Sequence, residues 1–329
     1  MLDELRGIAI IFVVLYHAGG VLAFADRLHL ETGVDMFVIL SGIGLALSTR
    51  TESPGRFLAR RFMRILPLYW TILTAVLLGG WCVLGIRYYT TLDNALHYLG
   101  VHALFGDWHA LAISDSFWFI TLILFLYCLY AAMWRLRDRP DWMLCISSLV
   151  SFALAMVYFE TGQSDCFAHF ALRIPGFFIG LLAGELIKSG RLDVGLSAPL
   201  GCAFLILFYL PYTQGFIFAS FLVGMAMIAG YAFLARPWVS QPARSGLKFL
   251  GDHSLEIFLI HQPLIREYNL FVLRKLYPNL SLDGPEGFWP LVVGIGVGLA
   301  VTLELSILLH RLFARLPVVG SARPSPKPA

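Results

Sequence analysis

Long apolar blocks constrain this chain more than any other feature. Runs of about twenty mostly apolar residues recur along it, separated by short clusters of Arg, Asp, Pro and Gly. A hydrocarbon core about 30 Å thick takes on the order of 20 such residues per helix. Continuous runs favour helices over barrel strands, whose apolar residues alternate. The blocks span 7–24, 33–49, 65–86, 117–134, 142–158, 169–187, 197–213, 215–234, 252–273 and 288–310. The expected fold class is therefore all-α, a polytopic transmembrane helical bundle of about ten spans within residues 1–316. Residues 317–329, rich in Pro, are expected to form a disordered cytoplasmic tail. Composition agrees, because 58% of the 329 residues are hydrophobic and only 14% are charged, whereas soluble domains carry roughly 25%. A soluble enzyme and a disordered chain are both excluded.

A net charge of +3 gives no support to nucleic acid as a partner, and the placement of the charges is more informative. Cytoplasmic loops of membrane proteins are enriched in Lys and Arg. Threading the ten blocks leaves Arg27, Arg87, Arg173, Arg266, Arg274 and Lys275 on one side and the other 18 of the 24 basic residues on the opposite side. That asymmetry predicts both termini in the cytoplasm. The five cysteines form no CxxC pair and the histidines show no HxxxH spacing, so no metal is expected.

Ionisable residues are costly inside a membrane, and each one is a candidate functional group unless it snorkels or pairs locally. His17 lies 11 residues beyond Arg6, about 16 Å along a helix and near the midplane. There a neutral imidazole can accept a proton, although a hydrogen-bonded core histidine is an equal reading. Asp35 and Ser41 lie in the next block, joined to the first by a short hairpin, so Asp35 can approach His17 and fix its tautomer. The competing reading of Asp35 is a charge favoured by the start of its helix. Arg60 and Arg64 share one helical face beside Arg61, a fork suited to phosphate; anionic lipid contact is the alternative. Pro67, close by, hints at a kinked or late helix start. Gly180 and Gly184, four apart, point to close helix packing. His261 lies at a depth similar to that of His17, just before Pro263. His253 and Glu256 can pair on one face, and Glu304 is expected as a buried carboxyl.

Four segments resemble the acyltransferase 3 family of integral membrane acyltransferases: LDELRGIAIIFVVLYH (2–17), with Arg6 and His17 in an R-x10-H spacing; GVDMFVILSG (33–42); RRFMRILPLYW (60–70); and SLEIFLIHQPL (254–264). Weaker echoes are FWFITLILFLY (117–127) and RIPGFFIGLLAG (173–184), and the whole similarity runs from residue 2 to about 310. One departure is clear. Many members carry a Trp followed by a Glu in the fourth span, whereas Trp118 here is followed only by apolar residues and Thr121.

The resemblance implies a donor of acetyl-CoA or another acyl-CoA, no metal, and a carbohydrate hydroxyl as acceptor. His17 would be the catalytic residue with Asp35 beside it, and Arg6, Arg60, Arg61 and Arg64 would hold the donor. Ser41, Tyr69, Trp118, Arg173 and His261 are candidates for lining the acceptor cavity. An O-acetyltransferase of surface polysaccharide or lipid-linked glycan in a bacterial inner membrane is the expected function. Transfer is either direct, with His17 as general base, or through an acyl-His17 intermediate. The alternative is a transporter or flippase for a lipid-linked glycan, which has no need of the Arg cluster.

Overall fold

Asp3 and Glu4 open the first helix, α1 (Leu2–Val21), where the helix dipole favours carboxylates. In the computed structural model of the chain, residues 1–22, 30–48, 52–85, 90–105, 113–161, 165–190, 220–278 and 285–313 are described. The expected span at 197–213 and the tail at 317–329 lie outside them. After α1 come α2 (Thr32–Ala46), α3 (Pro54–Gly79), α4 (Thr91–Leu99), α5 (Trp118–Ala132), α6 (Pro140–Thr161) and α7 (Asp165–Lys188). They are followed by α8 (Ser220–Ala229), α9 (Gln241–Asp252), α10 (Ser254–Gln262), α11 (Asn269–Leu276) and α12 (Phe288–Phe313). The described residues are helices joined by turns, with no strand among them.

Helices Leu2–Val21, Pro54–Val83 and Phe288–Phe313 are long and apolar enough to cross a bilayer, and Thr32–Ala46, Trp118–Ala132 and Pro140–Leu154 are shorter apolar helices. On α12, Val293, Val297, Val301 and Leu308 are exposed, as expected of a helix whose outer face meets lipid rather than water.

Several elements differ from the sequence expectation for identifiable reasons. α3 starts at Pro54 and runs through Pro67 instead of starting late, because Ser53 caps it by accepting from Arg56 N and Pro54 suits the first turn. α4 carries no long apolar run and was not expected as an element. Its start is set by a reciprocal capping box between Thr90 and Asp93. The block at 252–273 is broken rather than continuous: α9 ends at Asp252, α10 starts at Ser254, and Pro263 opens a π-helical turn, Pro263–Tyr268. Glu256 accepts from His310 Nδ1 (2.9 Å) rather than pairing with His253, whose Nδ1 donates to Phe249 O (2.8 Å). Glu304 is exposed on α12, not buried.

Close backbone approach organises the bundle. A Cβ on Gly42 would overlap Phe177 O, and one on Gly180 would overlap Ile39 O, so α2 and α7 meet where neither can carry a side chain. Gly7 and Gly251 do the same for α1 and α9, against Leu247 O and Asp3 O. Glu4 accepts from Tyr231 Oη (2.9 Å) and Arg236 Nε (2.8 Å), which ties the start of α1 to the segment after α8. These contacts and the Glu256–His310 bond bring the start of α1 and the end of α12 to one end of the bundle.

A buried ion pair joins the same α2–α7 interface. Arg173 Nε lies 3.0 Å from Asp35 Oδ1, with both residues almost fully buried, and the guanidinium sits 5.2 Å from the centre of the Trp118 ring. Removing one member leaves an unanswered charge, at a cost of about 3–5 kcal/mol. Asp35→Ala should therefore lower the melting temperature in detergent sharply, whereas Asp35→Leu combined with Arg173→Met should recover most of it. Calorimetry or dye-monitored melting of the purified chain checks this.

Candidate active site

Four helices bring arginines and small polar residues around one cavity of about 490 Å³. Arg6 enters from α1, Arg60, Arg61 and Arg64 from α3, Ser41 from α2 and Ser254 from α10. The arginines expected at a donor site thus share one space. Arg6 reaches over Gly44 of α2, where a Cβ would stand 3.3 Å from its Nη2, and pairs with Asp3 (2.9 Å). Arg60 is held by Glu52 in a two-point ion pair. Arg61 lies over the Tyr127 ring (5.1 Å) and the Phe57 ring (5.6 Å), and its buried Nε has no hydrogen-bond partner among the described residues. Arg64 is exposed and forms no ion pair among the described residues. Among the described residues, two of the four cations are answered by carboxylates and two are not, so the cavity favours a polyanion.

From this charged end the cavity runs inward along helical stripes. Tyr127, Ile123 and Phe119 lie four apart on α5, and Ser41 and Phe37 lie four apart on α2. Eight residues separate Tyr127 from Phe119, about 12 Å along the helix. Phe37, Phe119 and Phe258 meet at the inner end, with ring centres 4.8 Å apart for Phe119–Phe258 and 6.3 Å for Phe37–Phe119. Three residues further along α10 is His261, its ring 5.9 Å from that of Phe258.

His261 is fully buried, with Nδ1 2.8 Å from Phe258 O and 3.0 Å from Ile257 O. A carbonyl only accepts, so Nδ1 carries the proton and Nε2 of the neutral ring is an acceptor. His17 Nδ1 lies 3.0 Å from that Nε2 and 2.9 Å from Val13 O. Both neighbours accept, which assigns the His17 proton to Nδ1. The His17 Nε2 lone pair is then the basic site, held in this tautomer by the bond from Nδ1.

Asp35 was expected to orient His17, and it does not. Gly33 of α2 packs on Ala9, Phe12 and Val13 of α1, and Asp35, two residues later and about 200° round the helix, faces away toward Arg173. His261 supplies the orienting contact instead. The five residues expected around an acceptor also separate. Ser41 lines the arginine cavity and donates to Phe37 O (2.7 Å); Arg173 and Trp118 belong to the Asp35 cluster; His261 bonds His17. Tyr69 is fully buried with its ring 5.4 Å from Phe117. Burial leaves Asp35, Arg173, Tyr69 and His261 no open cavity surface to present.

Several contributors escaped the sequence reading. Glu52 precedes the α3 cap and pairs with Arg60, and Tyr127 and Phe119 on α5, with Phe258 on α10, read as apolar filler until they are seen to line one cavity with the arginines. Gln262 accepts from Ser114 Oγ (3.0 Å) and Arg266 pairs with Asp115, which clasps segment 113–117 to the turn after His261.

The chain matches the model of the acyltransferase domain family of acyltransferase 3 type over residues 2–311. It is 26% identical over 308 residues to the exopolysaccharide production protein ExoZ of Rhizobium meliloti (strain 1021), covering 88% of this chain and 93% of that one. It is 27% identical over 206 residues to the putative membrane-bound transacylase BcsY of Komagataeibacter xylinus, covering 56% of this chain and 50% of that one. Protein 2 of the picA locus of Rhizobium radiobacter is 36% identical over 107 residues, 30% of this chain and 54% of that one. The chain thus spans about half the length of these last two relatives. No solved structure matches it. A family match over nearly the whole length of an integral membrane helical chain makes this protein a member of the acyltransferase 3 family.

Proposed function

We propose that the chain is a membrane O-acyltransferase, in the simplest case an O-acetyltransferase. It moves an acyl group from a cytoplasmic acyl-CoA to a hydroxyl of a carbohydrate such as a surface polysaccharide or lipid-linked glycan. The single observation that carries this reading is the shared cavity of Arg6, Arg60, Arg61 and Arg64, which leads through Phe258 to the His17–His261 pair. Coenzyme A is cytoplasmic and carries several phosphate charges, which four convergent guanidiniums suit. The names of two relatives, an exopolysaccharide production protein and a transacylase, support a carbohydrate acceptor and acyl transfer. A bundle of ten spans with both termini cytoplasmic, in a bacterial inner membrane, puts the arginine cavity on the coenzyme A side.

In the reaction, the acceptor hydroxyl gives its proton to His17 Nε2 as its oxygen attacks the thioester carbonyl. The C–O bond forms, the C–S bond breaks, and the departing thiolate recovers the proton from the imidazolium. His261 Nε2, already accepting from His17 Nδ1, stabilises the positive ring while the proton is held there, so His261 is a positioning residue.

Three outcomes follow. With labelled acetyl-CoA and membrane vesicles containing the chain, His17→Ala should reduce label transfer to carbohydrate by about 10²–10⁴-fold at equal protein level. Full activity in that variant would refute the assignment. Arg64→Ala should weaken the binding of free coenzyme A by about tenfold, the size of one lost charge-assisted bond, measured by equilibrium dialysis. His261→Leu should lower kcat while leaving the KM for acetyl-CoA unchanged, and His261→Gln, whose amide oxygen accepts the same proton, should retain more activity than His261→Leu.

A further inference from the structure

Phe37, Phe119 and Phe258 come from three different helices and meet at one level, where the arginine cavity ends. The cavity lining includes all three rings and neither His17 nor His261. Phe258 touches the cavity on one side and lies 5.9 Å from the His261 ring on the other, so the three rings separate the charged space from the histidine pair. Phe119 and Phe258 are buried, while Phe37 is half-buried and open to the cavity. We propose that these three rings form a displaceable septum that sets the length of the acyl group delivered to His17.

A thioester drawn inward from the arginines has to part the rings before its carbonyl meets His17 Nε2. A short acyl group needs only the swing of Phe37, the ring with free space beside it. Each further methylene has to occupy volume that Phe119 and Phe258 already fill, and close-packed interiors give way poorly. Neither buried ring has a polar atom to be satisfied, so size alone decides what passes. In the resting state the same rings keep water in the arginine cavity from the histidines, which limits hydrolysis of the donor. This inference rests on the acyl-CoA reading of the cavity.

The test uses the full chain in membrane vesicles with their own glycans. Release of free coenzyme A and label in carbohydrate are followed with acetyl-CoA, butyryl-CoA and hexanoyl-CoA, and free coenzyme A binding is measured in parallel. Phe258→Ala and Phe37→Leu should raise the butyryl-to-acetyl ratio of kcat/KM by about tenfold or more, the worth of a methylene in a fitted apolar pocket. Phe37→Trp should depress acetyl transfer with coenzyme A binding unchanged. If Phe258→Ala no longer binds coenzyme A, its packing has failed and Phe37→Leu decides. An unchanged acyl ratio in each opening variant that still binds coenzyme A overturns the septum. A parent chain that transfers no acyl group from any of the three donors defeats the acyltransferase reading itself, a result distinct from a flat ratio.

Discussion

Hydrocarbon has no water with which to answer a charge, and that constraint organises this molecule. Arg173 is answered inside the bundle by Asp35 and the face of Trp118, and Glu4 by Tyr231 and Arg236. The α2 and α7 helices that hold the first pair meet through glycines, because only a bare backbone lets them approach closely enough, and α1 meets α9 in the same way. With those charges settled, the cations that remain stand out. Arg61 and Arg64 have no carboxylate partner among the described residues, and both face a cavity at the end of the bundle. Charges answered inside the bundle are thus told apart from cations left facing the cavity.

The histidine pair follows the same logic with neutral groups. His261 is committed by two backbone carbonyls to donate from Nδ1, which makes its Nε2 the natural acceptor for His17. No carboxylate is needed to hold the tautomer, and a charged partner at that depth would itself have needed an answer. Asp35 is therefore free to serve the fold, in its pair with Arg173. The π-helical turn that begins at Pro263 follows directly after His261, and the Ser114–Gln262 and Asp115–Arg266 contacts fasten that turn to a second segment.

Much of this was legible in the sequence because it depends on spacing along single helices. Arg60 and Arg64 share a face at four residues, and His17 and His261 reach similar depths by counting from their helix ends. The grouping of Arg6 with the α3 arginines came from the family resemblance, and all four line one cavity. What escaped depends on rotation and on partners far away in the chain. Asp35 follows His17 across one short connection in sequence but sits two residues round the helix from the α1 contact at Gly33, and apolar periodicity does not report which neighbour that face meets. Glu256 finds His310 across 54 residues, and Trp118 finds Arg173 across a similar distance. The break at His253 and the capped start of α4 are local backbone events inside or outside apolar runs, so hydropathy alone passes over them. Phe37, Phe119 and Phe258 each read as ordinary core, and only their meeting gives them meaning.

The proposed donor path runs from the arginine cavity to His17. A cryo-electron microscopy map of the full chain with a non-hydrolysable acyl-CoA would trace it. That map should show phosphate density against Arg6, Arg60, Arg61 and Arg64, the pantetheine arm running along the Tyr127–Phe119 stripe, and the acyl carbonyl within reach of His17 Nε2. Density for the nucleotide at the opposite end of the bundle, or an acyl group ending away from His17, would rule that path out.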